Sequence, residues 1–265
     1  MKDEQIILSM TTWPPRYETT GKVMAGLVNQ IQEDNLQERV HAVLVLSEEE
    51  VCSTYARKAA CDLMSDMEKM GVEVIIDRGN IRSHKKLMPT LEKYPGHAVL
   101  VVDDDQRQQQ GWLKTFIKDH EAHPDDIIYG MSTSRVFVLD RTIIEERPHG
   151  KLWLSTPGMT SRDLKPSNGS SGTLYPANTF KDERFFDREL YMSLSPSSDE
   201  TWQWAFGKMA GKTYRCLSAH NLPYATDART DCALWNENRC KYDEIHNAIA
   251  KAIPEYLEAL LNDAK

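Results

Sequence analysis

An α/β fold with a mainly parallel central sheet flanked by helices is predicted by three observations. Short, continuously apolar runs alternate with segments of helical period through the first half of the chain. Strands without a polar face belong to sheets covered on both sides. Polar loops follow the carboxyl ends of two of these runs, where ligands of such sheets bind.

The alternation reads in order as follows. Residues 5–10 form a first strand, and residues 20–32 a helix, with Val23, Leu27, Val28 and Ile31 on one face. Strands at 40–46, 72–76, 98–102 and 126–129 alternate with helices at 48–70, 85–94 and 112–120. After Arg135 the regular pattern stops, and between Ser155 and Asn178 the chain is rich in Ser, Pro and Gly, as in a site built from loops. Helical period returns at 199–209, where Trp202, Phe206 and Met209 share a face, and at 242–261. The 265 residues suffice for one large domain, a first half of about 1–130 and an elaborated C-terminal part of about 131–265.

Composition narrows the function classes. With 32 Lys and Arg against 40 Asp and Glu, the net charge is −8, and no basic block marks a nucleic-acid groove. The N-terminus lacks the pattern of a signal peptide, and no segment approaches the ~18 apolar residues of a membrane span. Cys52, Cys61, Cys216, Cys232 and Cys240 form an odd set without a CxxC pair, which fits reduced thiols and a cytoplasmic setting.

The apolar run Val99-Leu100-Val101-Val102 leads straight into Asp103, Asp104 and Asp105. Adjacent carboxylates repel and are costly to desolvate, so a positive charge must offset them. The first and third carboxylates of a D-x-D after a strand suit one Mg²⁺ or Mn²⁺ shared with phosphate oxygens; the competing reading is a solvated acidic turn. The glycine and distal glutamate of an EF-hand are absent. Lys85 and Lys86, upstream of the aspartates, either add positive charge at a diphosphate or open an exposed helix. Gly172 and Tyr175, in Ser170-Ser171-Gly172-Thr173-Leu174-Tyr175-Pro176, suit a close backbone approach to a sugar ring with the aromatic face on it, or a plain turn. Ser197 and Glu200 have the spacing of a capping box, which gives Glu200 a structural task and leaves Asp199 as the spare carboxylate of the first helical turn.

The order of IILSMTTWPPR, Lys85-Lys86, VVDDDQ, SGTLYPAN and SSDETWQWA resembles the GT-A fold glycosyltransferases, specifically the family-2-like bacterial polysaccharide enzymes, over about residues 6 to 245. The resemblance implies a nucleotide-sugar donor, a UDP-sugar favoured, held by a divalent metal at Asp103 and Asp105, with Asp103 and Asp104 also counted in the donor site. Thr11, Trp13 and Arg16 fall where base and ribose dock, although Trp13 also reads as a lid over the core edge. Asp199 falls where such enzymes hold the base that deprotonates the acceptor hydroxyl, with Glu200 the alternative, and direct displacement would invert the anomeric configuration. Late histidines, His220 foremost and His246 after it, are candidates for a third metal ligand, and the stretch Trp235-Asn236-Glu237-Asn238-Arg239-Cys240-Lys241-Tyr242-Asp243 for a loop that closes over the donor. The implied acceptor is a hydroxyl of a glycan or lipid-linked glycan in surface polysaccharide assembly, with no nucleic acid partner; a lipid-linked acceptor would bring the chain to the membrane surface. Two rivals stand: a sugar nucleotidyltransferase, which would want a glycine-rich first loop where this chain has TTWPPR, and a non-catalytic glycan-binding protein.

Overall fold

The first strand, β1 (Ile6–Thr11), is buried except at its last residue, and both faces of the sheet around it are covered. Ile7 packs with Val43, Val45, Val99 and Val101 in one core. Ile6, Leu8 and Met10 pack with Leu44, Leu46, Leu100 and Val102 in the other. This two-sided alternation explains why the strands read as unbroken apolar runs. The computed structural model describes residues 5–130, 132–147, 153–166, 171–219, 224–225, 237–238 and 241–263.

The remaining strands are β2 (Val40–Ser47), β3 (Glu73–Asp77), β4 (Ala98–Val102), β5 (Gln106–Arg107), β6 (Ile127–Tyr129), β7 (Ser132–Leu139), β8 (Thr142–Glu146), β9 (Trp153–Leu154), β10 (Thr160–Ser161), β11 (Leu164–Pro166), β12 (Thr173–Tyr175), β13 (Tyr214–Cys216) and β14 (Tyr224–Ala225). Among the described residues the main sheet runs β10-β13-β6-β12-β4-β1-β2-β3. Strands β3, β2, β1 and β4 are mutually parallel, as are β6 and β13, while β12 runs antiparallel between β4 and β6. The register Met10 to Val102, Thr11 to Val45 and Ser47 to Asp77 brings the carboxyl ends of β1 to β4 to one edge. Thr11 and the segments after these strands that carry Glu50, Asn80 and Asp103 therefore meet there.

A second sheet, β11-β7-β8 with β9 paired to β7, lies beyond the main one. Its β7–β8 hairpin turns on Asp140 and Arg141, both at left-handed φ of 47° and 62°, the twist that suits a two-residue hairpin.

The helices are α1 (Tyr17–Glu33), α2 (Glu48–Cys52), α3 (Arg57–Lys69), α4 (Met88–Lys93), α5 (Trp112–Ala122), α6 (Arg188–Leu194), α7 (Asp199–Met209), α8 (Tyr242–Ala252) and α9 (Pro254–Asp263). Three predicted helices are broken. The 48–70 segment divides because Ser53, at φ −61° and ψ 131°, leaves helical geometry and closes α2. The 85–94 segment becomes a 3-10 turn, Arg82–Lys86, followed by α4, since Pro89 fits only the first turn of a helix. Pro254 divides the C-terminal segment in the same way. No described helix is long and apolar enough to cross a membrane. Cys52, Cys61 and Cys216 are free thiols; Cys232 and Cys240 lie outside the described residues.

Candidate active site

The aspartates that end β4 do not behave alike. Asp104 turns inward, where its Oδ2 accepts from Thr12 Oγ1 at 2.6 Å and its Oδ1 from Arg16 at 2.8 Å. Thr20 Oγ1 donates to Thr12 at 2.6 Å, so the residue between the other two ties the first loop and α1 to β4. Burial pushes the Asp104 carboxyl up, against the pull of Arg16 and Thr12. Asp103 and Asp105 flank it on the wall of a cavity of about 490 Å³. Arg16 also reaches Asp105 at 2.9 Å, yet burial, and then the charge of Asp103, push Asp105 up to about 6. The carboxylates at this strand end thus remain short of positive charge.

Lys85 and Lys86 leave the 3-10 turn in different directions, and neither is exposed. Lys85 donates to Glu50 at 2.5 Å and to the Thr12 carbonyl at 3.3 Å, and its side chain is 2 % exposed. Asn80 donates to the other oxygen of Glu50 at 3.0 Å. Lys86 lies between Asp103 Oδ1, at 3.0 Å, and Asp199 Oδ2, at 3.3 Å. Burial works against its ammonium, but the two carboxylates more than offset it and raise its pKa above the ordinary lysine value.

The start of α7 lines the same cavity. The predicted capping box is not formed: the N-cap is Ser198, with no side-chain cap bond, and Ser197 Oγ instead donates to Asn238 Oδ1 at 2.5 Å. Glu200 is drawn away from the helix terminus by two cations, Arg147 at 3.0 Å and Lys165 at 3.1 Å, which outbid a backbone amide. Asp199 is buried. Burial favours its neutral form, but Lys86, then His84, hold its pKa below the usual aspartate value, so the carboxylate is ionised. Its Oδ2 also accepts from Gln203 Nε2 at 3.3 Å, and Gln203 accepts from the Tyr175 hydroxyl at 2.8 Å.

Behind Glu200 lies a closed ionic network. Glu145 pairs with Arg147 at 2.8 Å and Lys165 at 3.5 Å, and the side chains of Glu145 and Lys165 have no solvent exposure. The Arg147 guanidinium sits 3.8 Å over the ring of Tyr242. His246 Nε2 lies 3.0 Å from Glu145 Oε2 and its Nδ1 2.7 Å from the Tyr256 hydroxyl. At the cavity mouth Arg82 makes a two-point pair with Glu237, at 3.1 and 2.7 Å.

The structure thus gathers Thr11, Trp13, Arg16, Lys85, Lys86, Asp103, Asp104, Asp105, Asp199 and Glu200 around one cavity. Three expected residues are elsewhere. Tyr175 is 2 % exposed in β12 within the core, where the Gln203 bond and the Phe180 ring occupy it, so no sugar can stack there. Gly172 does permit a close approach, but to protein: at φ +85°, an added Cβ would lie 2.5 Å from Trp112. His246 has both ring nitrogens engaged by Glu145 and Tyr256 and does not line the cavity, which removes it as a metal ligand. His220 lies outside the described residues, as does most of the 235–243 stretch. Among the described residues no group of three or more His, Cys, Asp and Glu side chains is arranged to hold a metal. Asp103 and Asp105 form a two-carboxylate set, and hard divalent ions are commonly bound by one or two carboxylates completed by substrate phosphates.

Glu237 belongs to the 235–243 stretch expected over the donor, but sequence reasoning missed Glu50, Asn80, Arg82, Arg147 and Lys165. None has a local signature; each is recognised only by a partner distant in the chain, as Arg147 by Glu200, 53 positions away.

No family model and no curated protein matches the chain. Solved structures do. TarS 1-349 of S. aureus in complex with UDP-GlcNAc matches with a TM-score of 0.54 at 14 % identity, covering 98 % of this chain and 72 % of that one. TarS 1-349 itself matches with a TM-score of 0.53 at 14 % identity, covering 98 % and 71 %. The mannosyltransferase PcManGT of Pyrobaculum calidifontis in complex with GDP-Man and Mn²⁺ gives 0.51 at 16 % identity, covering 98 % and 69 %. The chain has a GT-A glycosyltransferase fold, with the mainly parallel sheet that this fold requires.

Proposed function

We propose that this protein is a glycosyltransferase that moves a hexosyl unit from a nucleotide-sugar donor, a UDP-sugar first among the candidates, to a hydroxyl of a glycan or lipid-linked glycan in surface polysaccharide assembly, with a divalent metal and with inversion. The observation that carries this reading is one cavity lined by both an under-neutralised carboxylate pair, Asp103 and Asp105, and an ionised buried carboxylate, Asp199. The solved relatives of the same fold hold UDP-GlcNAc in one case and GDP-Man with Mn²⁺ in another, which supports a nucleotide-sugar and a divalent ion here.

Asp103 and Asp105 would hold the metal, and a bound divalent ion supplies Lewis-acid stabilisation of the charge that grows on a leaving diphosphate. The chain's own residues do the rest. Arg16 and Thr12 fix Asp104 and so the turn that presents its neighbours. Thr11 and Trp13, at the end of β1, line the cavity, and the nucleoside would dock against them. Asp199 takes the proton of the attacking hydroxyl, and its depressed pKa keeps it unprotonated and ready at neutral pH. Arg147 and Lys165 keep Glu200 from competing for that proton by holding its carboxylate. A lipid-linked acceptor would require approach to a membrane surface.

The test is a thermal-shift screen of UDP-, GDP-, CMP- and dTDP-sugars with and without Mn²⁺, on the wild type and on Asp105→Ala. One donor is expected to raise the melting temperature only with Mn²⁺, and Asp105→Ala to lose the effect. Asp199→Asn should then bind that donor normally while kcat falls about 10²- to 10⁴-fold. A wild type that responds to none of the donors overturns the reading in favour of a non-catalytic glycan-binding protein. Release of diphosphate from a nucleoside triphosphate and a sugar phosphate would favour the nucleotidyltransferase.

A further inference from the structure

We propose that Lys86 is a shared counter-ion that couples loading of the donor site to the base: its one ammonium is divided between Asp103 and Asp199, so a cation that binds at Asp103 competes with it there while Asp199 keeps it in place. The inference rests on the glycosyltransferase reading for its chemical meaning, but its first test does not require activity.

Lys86 cannot leave this position easily. Leu87 and Met88, which follow it, are 0 % and 2 % exposed in the core, and its own side chain is 7 % exposed. An ammonium has donors but no acceptor, so a carboxylate pair is its natural environment. Here that pair comes from two elements, with Asp103 at 3.0 Å after β4 and Asp199 at 3.3 Å at the start of α7. Two carboxylates share one cation, so neither is fully neutralised by it. The neighbouring Lys85 differs, since Glu50 and the Thr12 carbonyl hold it on one side of the cavity.

The position suits the charge movement of the reaction. The acceptor oxygen forms a bond to the anomeric carbon, and the bond from that carbon to the diphosphate oxygen breaks with its electron pair going to the diphosphate. The acceptor proton passes to Asp199. One unit of negative charge therefore disappears at Asp199 and appears on the leaving group, and a fixed cation between the two compensates both states without rearrangement of solvent. Lys86 and Gln203 both bind Oδ2 of Asp199, and Ser83 lies beside the same carboxylate. Tyr175, through its bond to Gln203, is then a positioning residue of the same relay.

The experiment is a calorimetric titration with Mn²⁺ alone of the wild type, Lys86→Gln and Lys86→Arg, each checked for folding by its melting curve. Lys86→Gln removes the competitor for Asp103 and is expected to bind Mn²⁺ about tenfold more tightly. Lys86→Arg, whose planar fork grips carboxylates at two points, is expected to bind it several-fold more weakly. A general loss of structure would weaken both, so opposite signs are specific to the coupling. In turnover, Lys86→Gln should lower kcat about 10²-fold with donor Kd changed less than about threefold. Equal Mn²⁺ affinity in the three proteins overturns the coupling. The same holds if Lys86→Gln binds Mn²⁺ more weakly than the wild type, or if its kcat stays within twofold. The glycosyltransferase reading fails separately, by the wild type not binding or transferring from any donor.

Discussion

At the end of β4, Asp103, Asp104 and Asp105 meet two cations, Arg16 and Lys86, the second of them shared with Asp199. Behind the start of α7, Glu145 and Glu200 meet Arg147 and Lys165, with His246 closing the network. Both clusters are largely buried, yet Asp104 and Asp105 in the first and Glu145 in the second are shifted in opposite directions. Burial and the charge of Asp103 push Asp105 up to about 6. Burial also acts on Glu145, but Lys165, His246 and Arg147 outweigh it and hold that carboxyl well below its usual range. The difference teaches that burial alone does not decide the state of a buried acid; the ratio of cations to carboxylates does. The first cluster is a site with a place for further positive charge, and the second is a finished support that aims Glu200 and Arg147 at the cavity.

The strongest way to break the comparison is to make the second cluster resemble the first. Lys165→Met should leave Glu145 and Glu200 sharing Arg147 and cost about 3 to 5 kcal/mol, read from urea unfolding at pH 7. A cost near zero would mean that the network is not closed as described.

A smaller effect, with the opposite sign, is expected at the first cluster. The folded-state pKa of Asp105 lies above its unfolded value, so its ionised form costs stability, and the cost grows as pH rises from about 4 through about 6. Asp105→Asn should therefore be more stable than the wild type at pH 7, by on the order of 1 kcal/mol after the loss of its contact with Arg16. It should gain nothing at pH 4. The donor-dependent thermal shift should vanish in the same variant, so stability and function would move apart.

The smallest effect sharpens the comparison on the pH axis. Burial lowers the pKa of His246 below the ordinary histidine value despite the bond to Glu145. A histidine with a depressed folded pKa contributes stability above its unfolded value of ~6.5, and loses that contribution as pH falls below it. Melting temperatures between pH 7.5 and 5 should fall less steeply in His246→Gln than in the wild type. An unchanged slope would show that His246 is not held neutral by its surroundings.

Much of the fold was legible because strand and helix signals are local. The runs at 40–46 and 98–102 contain only residues that can face a core on either side, and the structure covers both faces of β2 and β4. The helix at 199–209 was read to the residue. The breaks at Ser53, Pro89 and Pro254 were also written in the chain, the two prolines plainly, but an amphipathic period on both sides of each break concealed them. Of the site, the aspartates after β4 announced themselves because three carboxylates in a row demand compensation wherever they fold. Tyr175 misled because an aromatic beside a glycine and a proline fits a ligand-binding turn and an interior strand equally well. Only its pairing opposite Val99 in β12 separates the two.

What the sequence by itself determined is the set of elements and the edge on which their loops gather, since apolar periodicity and the order of strands and helices are properties of neighbouring residues. What only the tertiary structure decided is which charge meets which. Thr12 and Asp104 are 92 positions apart, Arg16 and Asp104 are 88, and His246 and Glu145 are 101. Electrostatic energy depends on the distance and burial of a pair, and neither exists until the packed elements bring the two residues within reach.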